Sequence, residues 1–264
     1  MSPFGLKIAA PFDAISLEEL ERRASLRNRI DTKYIVSKET LAKLFDELRE
    51  SHQVLEIGGK RVFTYETTYF DSASLSSYRA HVQRKRRRFK CRSRLYPLDG
   101  RAFFEVKLKG KRGETLKRRM PYLPDEHGLM TDTARDFLRE TLREVYGTTS
   151  DDWLEPVLSS RYDRVTLVAP HLGERLTCDF GLTFSDTASG WAAIREPAVI
   201  VESKSRRGSD AIDRALRRLG ARPLSGCSKY CLGVSLLRES VRSNDFRRLR
   251  GRHFVFPDST AACL

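Results

Sequence analysis

Apolar and polar residues along this chain alternate with a period of two in one segment after another, interrupted by stretches with helical spacing. Residues 29–36 place Arg29, Asp31 and Lys33 on one face of a strand and Ile30, Tyr34 and Val36 on the other. Residues 101–109 set Glu105, Lys107 and Lys109 against Phe104, Val106 and Leu108. Residues 175–184 set Arg175, Thr177 and Asp179 against Leu176, Cys178 and Phe180. Residues 198–205 set Ile200, Glu202 and Lys204 against Val199 and Val201. Further strands are expected over 61–71, 86–96, 116–122 and 156–168. Turns are marked by Gly58-Gly59, by Pro97-Leu98-Asp99-Gly100 and by the stretch from Pro170 to Gly173.

Helical spacing appears at Leu41, Leu44, Phe45 and Leu48 behind a capping Ser37, over 131–146, and from a capping Ser209 to the stop at Gly220. A capping box, Ser16-Leu17-Glu18-Glu19, opens a short N-terminal helix. With no internal repeat and no low-complexity linker, the simplest account is an α+β protein with one domain over 1–240, built round an antiparallel sheet. The basic segment 241–264 has weak periodicity, the pattern of a partly disordered tail.

Residues 86–96 break the ordinary pattern. Read as a strand, they align Arg86, Arg88, Lys90, Arg92 and Arg94 on one face. Neighbouring like charges repel, so the row implies either a polyanionic ligand or full exposure to water. An antiparallel sheet with one wet face also alternates, but such a face mixes signs and residue types, and this one is dominated by arginine. Closing the sheet into a barrel would turn the charged face into a lumen. There cations could surround a phosphate chain and carboxylates could hold a metal.

Composition narrows the partners. The chain has 264 residues, 49 Lys+Arg against 35 Asp+Glu and a net charge of +14, which favours anionic partners. Five cysteines without a CxxC pair support neither a disulfide framework nor a zinc site. No run approaches the roughly 20 apolar residues of a membrane span, and the N-terminus lacks the apolar core of a signal peptide. The expected location is the cytoplasm. His52, His81, His127, His171 and His253 are scattered and suggest no nucleophile or metal cluster.

Asp31-Thr32-Lys33-Tyr34, Tyr69-Phe70-Asp71, Arg92-x-Arg94-x-Tyr96, Glu105-x-Lys107 and Arg161-Tyr162-x-Arg164 follow one another along the chain. Arg175-x-Thr177-x-Asp179, Glu202-x-Lys204 and Ser228-Lys229-Tyr230 complete the series. In this order they resemble the VTC domain, the catalytic domain of the vacuolar transporter chaperone polyphosphate polymerases, in the triphosphate tunnel metalloenzyme (CYTH-like) superfamily. The resemblance runs from about residue 22 to 237. Without a phosphate-sensing SPX domain or membrane helices, the chain looks like the stand-alone bacterial type.

The resemblance implies a closed antiparallel β-barrel, a tunnel of about eight strands with helices packed outside. It implies transfer of the γ-phosphoryl group of ATP to a growing polyphosphate chain, aided by Mn²⁺ or Mg²⁺. Carried over by motif, Lys33, Arg92, Arg94, Lys107, Arg161 and Lys229 would contact phosphates. Arg88, Lys90, Lys109, Lys117, Arg119, Arg175 and Lys204 extend the candidate lining. Glu202 is the first choice for the metal, with Glu105 and Asp179 behind it. Tyr34 and Tyr230 read as packing residues, and Arg84 to Lys90 as a rim that steers polyanions inward.

ATP and inorganic polyphosphate or triphosphate are the expected ligands. Any membrane-protein partner would come from another chain. Two rivals stand beside the polymerase. One is a tunnel hydrolase of triphosphate or polyphosphate, although Arg29-Ile30-Asp31-Thr32-Lys33 lacks the paired glutamates of the Glu-x-Glu-x-Lys strand usual in hydrolytic relatives. The other is a non-catalytic polyanion binder, for which no sequence-specific nucleic-acid motif and no aromatic stacking platform is present.

Overall fold

The computed structural model describes residues 1–23, 30–110, 113–149, 153–169, 171, 173–186, 190–205, 210–224 and 228–257. In chain order its elements begin with α1 (Pro3–Ala9), β1 (Ala14–Ile15), α2 (Leu17–Arg23), β2 (Ile30–Ser37), α3 (Lys38–Leu48), β3 (Gln53–Leu55) and β4 (Phe63–Asp71). Then come α4 (Ser76–Val82), β5 (Phe89–Tyr96), β6 (Arg101–Lys109), β7 (Thr115–Tyr122) and α5 (Asp132–Tyr146). The remainder is β8 (Glu155–Ala169), β9 (Glu174–Asp186), β10 (Gly190–Ile194), β11 (Ala198–Ser205), α6 (Ala211–Arg218), α7 (Lys229–Leu237), α8 (Arg247–His253) and β12 (Phe254–Val255). Among the described residues no helix is long and apolar enough to cross a membrane.

The chain divides into two units. The first comprises Met1–Thr64, Tyr162–Leu182 and Ile194–Cys227. At its centre β11 pairs antiparallel with β2 on one side and β9 on the other. Lys33 lies opposite Glu202, which lies opposite Thr177; Asp31 lies opposite Lys204, which lies opposite Arg175. With a side-chain period of two, Asp31, Lys33, Arg175, Asp179, Glu202 and Lys204 fall on one face. The other face gives Tyr34, Val36, Val199, Val201, Leu176, Cys178 and Phe180 to a core shared with Leu41, Leu44 and Phe45 of α3 and Ile212 and Leu216 of α6.

Local capping follows the sequence in part. Ser37 Oγ accepts the Thr40 N–H at 3.1 Å and starts α3 as expected. Ser209 lies outside the described residues. The Glu174 carboxylate caps α6 instead, accepting the N–H groups of Ala211 and Ile212 at 3.0 Å each.

The second unit comprises Tyr65–Arg161, Thr183–Ala193 and Ser228–Leu264. Here β4, β5, β6 and β7 form successive antiparallel pairs. One face buries Phe70, Cys91, Phe104, Val106 and Leu108 against Ala134, Leu138 and Leu142 of α5. Each such large side chain contributes about 1.5–3 kcal/mol when fully buried. Thr131 caps α5 by accepting the Ala134 N–H at 3.2 Å, and Gly147 at φ 70° ends it. The free cysteines Cys91, Cys178 and Cys231 are buried, while Cys227 and Cys263 lie outside the described residues.

Two sequence expectations are revised. The strand expected from residue 86 begins at Phe89, because Arg84 takes a left-handed backbone, φ 55°, in the turn that follows α4. In the segment after Ser240, residues 244–255 form a short 3₁₀ turn, α8 and β12, and Phe246 and Phe254 are buried at 5% and 1% exposure.

The second revision concerns the barrel. Among the described strands the sheet is not closed: β7 pairs only with β6, and β2 pairs only with β11. Pro121 fits an edge strand because it has no N–H to give to a further ladder. At β2, the Lys33 carbonyl accepts the Leu224 N–H at 2.8 Å, so an extended segment takes that position where a closing strand would pair.

Candidate phosphate-binding faces

In the second unit, the register turns the alternation of three strands into a two-dimensional array. Lys90 lies opposite Lys107, and Lys107 opposite Lys117. Beside that row, Arg92 lies opposite Glu105, and Glu105 opposite Arg119. Arg94 comes next along β5, opposite Thr67 of β4. Six cations therefore share a face with one carboxylate. Adjacent ammonium groups roughly 5–6 Å apart would repel by ~0.7 kcal/mol in water and ~3 kcal/mol at an effective dielectric of about 20. A sheet tolerates such an array more readily when an anion lies on it.

Glu105 organises the array. Its side chain is 1% exposed, and its Oε2 accepts from Arg92 Nε at 2.7 Å and lies 2.6 Å from the guanidinium Nη2. Its Oε1 is ion-paired with Lys117. Burial would raise the Glu105 carboxyl, but Arg92, Arg94 and Lys117 outweigh it and hold the group below the usual carboxylate range.

Aromatic rings fix the arginines from beneath. Arg92 lies over Tyr69 at 5.9 Å, Arg94 over Tyr65 at 5.2 Å and Arg119 over Phe103 at 4.9 Å. Arg94 Nε also donates to Thr67 Oγ1 at 3.3 Å.

Lys229 begins α7, with Ser228 as its cap. The next residue, Tyr230, packs on Tyr69 with ring centroids 5.3 Å apart and donates its hydroxyl to the buried Asp71. Asp71 also accepts the N–H groups of Ser77 and Tyr78 at 2.9 Å, so one carboxylate ties the end of β4 to α4 and α7. Lys109 donates to the Gly113 carbonyl at 3.0 Å. Arg88 precedes β5, bonded through its guanidinium to the Lys85 carbonyl.

In the first unit the charged face is closer to balance. Glu202 lies 3.3 Å from Lys33 and 2.8 Å from Lys204, and Lys204 also donates to Thr177 Oγ1 at 3.2 Å. Arg164 of β8 grips Asp179 with two bonds, Nε to Oδ1 at 2.6 Å and Nη2 to Oδ2 at 2.9 Å. Burial would raise the Glu202 carboxyl, but Lys204 and Lys33 hold it well below the usual range, so it is ionised.

A family model described as the VTC domain matches residues 28–238. The chain belongs to the VTC domain family. No curated protein matches it. Among solved structures, a candidate adenylate cyclase from Bacillus halodurans is 16% identical, with 76% of this chain and 95% of that one covered and a TM-score of 0.50, a likeness of fold. A candidate adenylyl cyclase from Hippeastrum with a dominant triphosphatase activity is also 16% identical, covering 78% of this chain and 94% of that one at a TM-score of 0.48.

Within this VTC domain the sequence-derived residues are sorted by strand parity. Lys90, Arg92, Arg94, Lys107, Lys117 and Arg119 come together in one unit; Lys33, Arg175, Asp179, Glu202 and Lys204 come together in the other. Arg161 does not join them. It pairs at 2.9 Å with Glu66, which lies on the opposite face of β4 from Tyr65 and Thr67. Arg164 instead stands on the first unit's charged face, where it holds Asp179. The signal was legible: Val165 and Leu167 belong to the core, so Arg164 and Thr166 must face away from it. Tyr69 and Asp71 stand in the Tyr69-Phe70-Asp71 motif without an assigned role and Tyr65 lies outside it, since only register brings them beneath the arginines and α7.

The three carboxylates proposed for a metal differ in access. Among the described residues no three His, Cys, Asp or Glu side chains group as a metal site. Glu105 and Asp179 are each 1% exposed and saturated by cations. Glu202 keeps 16% of its side chain exposed. This donor set suits a hard divalent ion that takes one protein carboxylate and completes its shell with phosphate oxygens and water, the usual habit of Mg²⁺.

Proposed function

We propose that this VTC domain is a metal-dependent polyphosphate polymerase, a phosphotransferase that moves the ATP γ-phosphoryl group to the end of a polyphosphate chain. The observation that carries the reading is the row Lys90, Lys107 and Lys117 beside Arg92 and Arg94: cations on adjacent strands, at the spacing of strands rather than of one anion. Such a surface suits an extended phosphate chain better than a single phosphate. In the reaction a terminal oxygen of the chain attacks the γ-phosphorus. The bond from that phosphorus to the β–γ bridging oxygen breaks, and ADP leaves with the bond's electron pair.

Phosphoryl transfer needs alignment and charge neutralisation rather than covalent help. Arg92 and Arg94, held by Glu105, Tyr69 and Tyr65, would fix the non-bridging oxygens. Lys33, Lys204 and Arg164 would do the same on the first unit's face, and Lys229 would contribute from α7. Glu202 would hold the divalent ion, which when bound supplies charge stabilisation at phosphate oxygens.

The test is incubation of the purified protein with ATP and Mn²⁺ or Mg²⁺, with separate measurement of ADP, inorganic phosphate and polymer. Polymer formed in step with ADP supports the polymerase. Inorganic phosphate without polymer assigns the protein to hydrolysis, and no turnover with tight triphosphate binding assigns it to non-catalytic binding.

A further inference from the structure

The C-terminal part of the second unit presents arginines that the strand faces do not use. Arg242 and three α8 residues, Arg247, Arg248 and Arg252, are exposed. No ion pair holds any of the four among the described residues, whereas nearby Arg238 reaches Asp186 at 3.0 Å and Arg250 reaches Glu239 at 3.8 Å. At 100° per residue, Arg247, Arg248 and Arg252 fall within one 140° arc of α8, with Gly251 between them. Leu249, Arg250 and His253 lie on the other side and are less exposed.

This stretch is held in place rather than left loose. Phe246 and Phe254 bracket α8 and are buried, the Tyr78 hydroxyl donates to the Arg242 carbonyl at 2.7 Å, and Arg250 covers the Phe256 ring at 4.7 Å.

The arrangement breaks two local rules. Arg248 and Arg252 are like charges at i and i+4, and Arg247 and Arg248 stand in a first turn that has no acidic residue, where the helix dipole disfavours cations. Rule-breaking of this kind is expected at functional surfaces. A surface needed only for solubility would mix lysine with glutamate. Every cation of this one is a guanidinium, whose planar fork matches phosphate oxygens in pairs.

We propose that this outer face of α8 is a docking track for long polyphosphate, engaging phosphates beyond those held at the strand faces. The proposal rests on the polyphosphate reading above and adds a second surface to it. Its contacts are electrostatic and sequence-independent, so they act on long chains and are screened by salt.

The test compares wild type with Arg247→Gln/Arg248→Gln/Arg252→Gln for binding of long-chain polyphosphate, tripolyphosphate and phosphatidylglycerol vesicles at low and high salt. Long-chain affinity should fall about tenfold at low salt, with the salt slope reduced by about 2, while tripolyphosphate affinity stays unchanged. The matching Arg→Lys triple variant, which keeps the charge but loses the paired contacts, should fall between the wild type and the Gln variant and keep the wild-type salt slope.

Unchanged long-chain binding would overturn the proposal, as would an equal loss for tripolyphosphate or a loss confined to vesicles. A Lys variant whose salt slope falls as far as that of the Gln variant would also overturn it, because charge on this face would then not be what sets the slope. A wild type that does not bind tripolyphosphate would count against the proposed function, while the long-chain comparison would still decide this surface.

Discussion

Replacing Glu105 by Gln isolates the electrostatics of the second unit's face, because the amide keeps the shape of the side chain and removes its charge. In the wild type this carboxylate neutralises Arg92 at 2.6 Å and is paired with Lys117, whose side chain is 40% exposed. Breaking a buried pair from one side costs about 3–5 kcal/mol. The amide oxygen still accepts one bond from Arg92, and water reaches Lys117, so the expected loss is about 2–3 kcal/mol. For a chain of this size that lowers Tm by about 5–10 °C.

A phosphate chain on the same face restores the missing negative charge. Tripolyphosphate at about 100 times its Kd adds about 2.7 kcal/mol to the wild type, and the variant should gain more. Scanning calorimetry with and without tripolyphosphate therefore should show the Tm gap between the two proteins shrinking by more than half. A gap that stays constant or widens refutes the assignment of Arg92 and Lys117 as phosphate-binding cations.

Strand parity separates the two β8 arginines: Arg164→Lys, which gives up the two-bond grip on Asp179, should weaken tripolyphosphate binding about tenfold, or ~1.4 kcal/mol, while Arg161→Ala stays within twofold by titration calorimetry. The reverse ranking would put the inward face of β8 on the wrong side. His52, 2% exposed with Nε2 unpartnered, has its pKa pushed down by burial to about 4. Its native form is neutral, so stability is complete above the unfolded value near 6.5 and falls as pH drops from there toward 4. His52→Gln should flatten denaturation midpoints across that window, and an unchanged slope would remove His52 as a source. Glu202→Gln should raise the metal concentration for half-maximal turnover at least tenfold, with a loss of Tm similar to that of Glu105→Gln because Lys33 and Lys204 lose their partner, and an unchanged metal requirement would take Glu202 out of the ion's shell.

Period-two alternation was enough to find β2, β6, β9 and β11 and, Glu174 and Asp186 at the ends of β9 apart, to put their charged residues on one face, because a half-buried strand must alternate to bury its apolar side. Register was not legible. That Glu105 meets both Arg92 and Lys117, or that Tyr69 lies beneath Arg92, depends on which residues stand opposite across neighbouring strands. Residues 86–88 read as strand because they continue the parity of Arg92, yet the left-handed turn at Arg84 keeps them off it. α7 escaped notice because Tyr230 to Leu237 are buried all round, leaving no amphipathic period. Closure of the sheet was expected from resemblance alone, and the covered edge of β2 at Lys33 and the proline in β7 are both features that parity does not report.

The most direct test of the account is a crystal structure of the protein grown with tripolyphosphate. The expected result is density running along the second unit's face, within hydrogen-bond distance of Arg92, Arg94, Lys107 and Lys117. Tripolyphosphate seated only on the Arg84–Arg88 turn or on α8, with the strand cations bare, would contradict it.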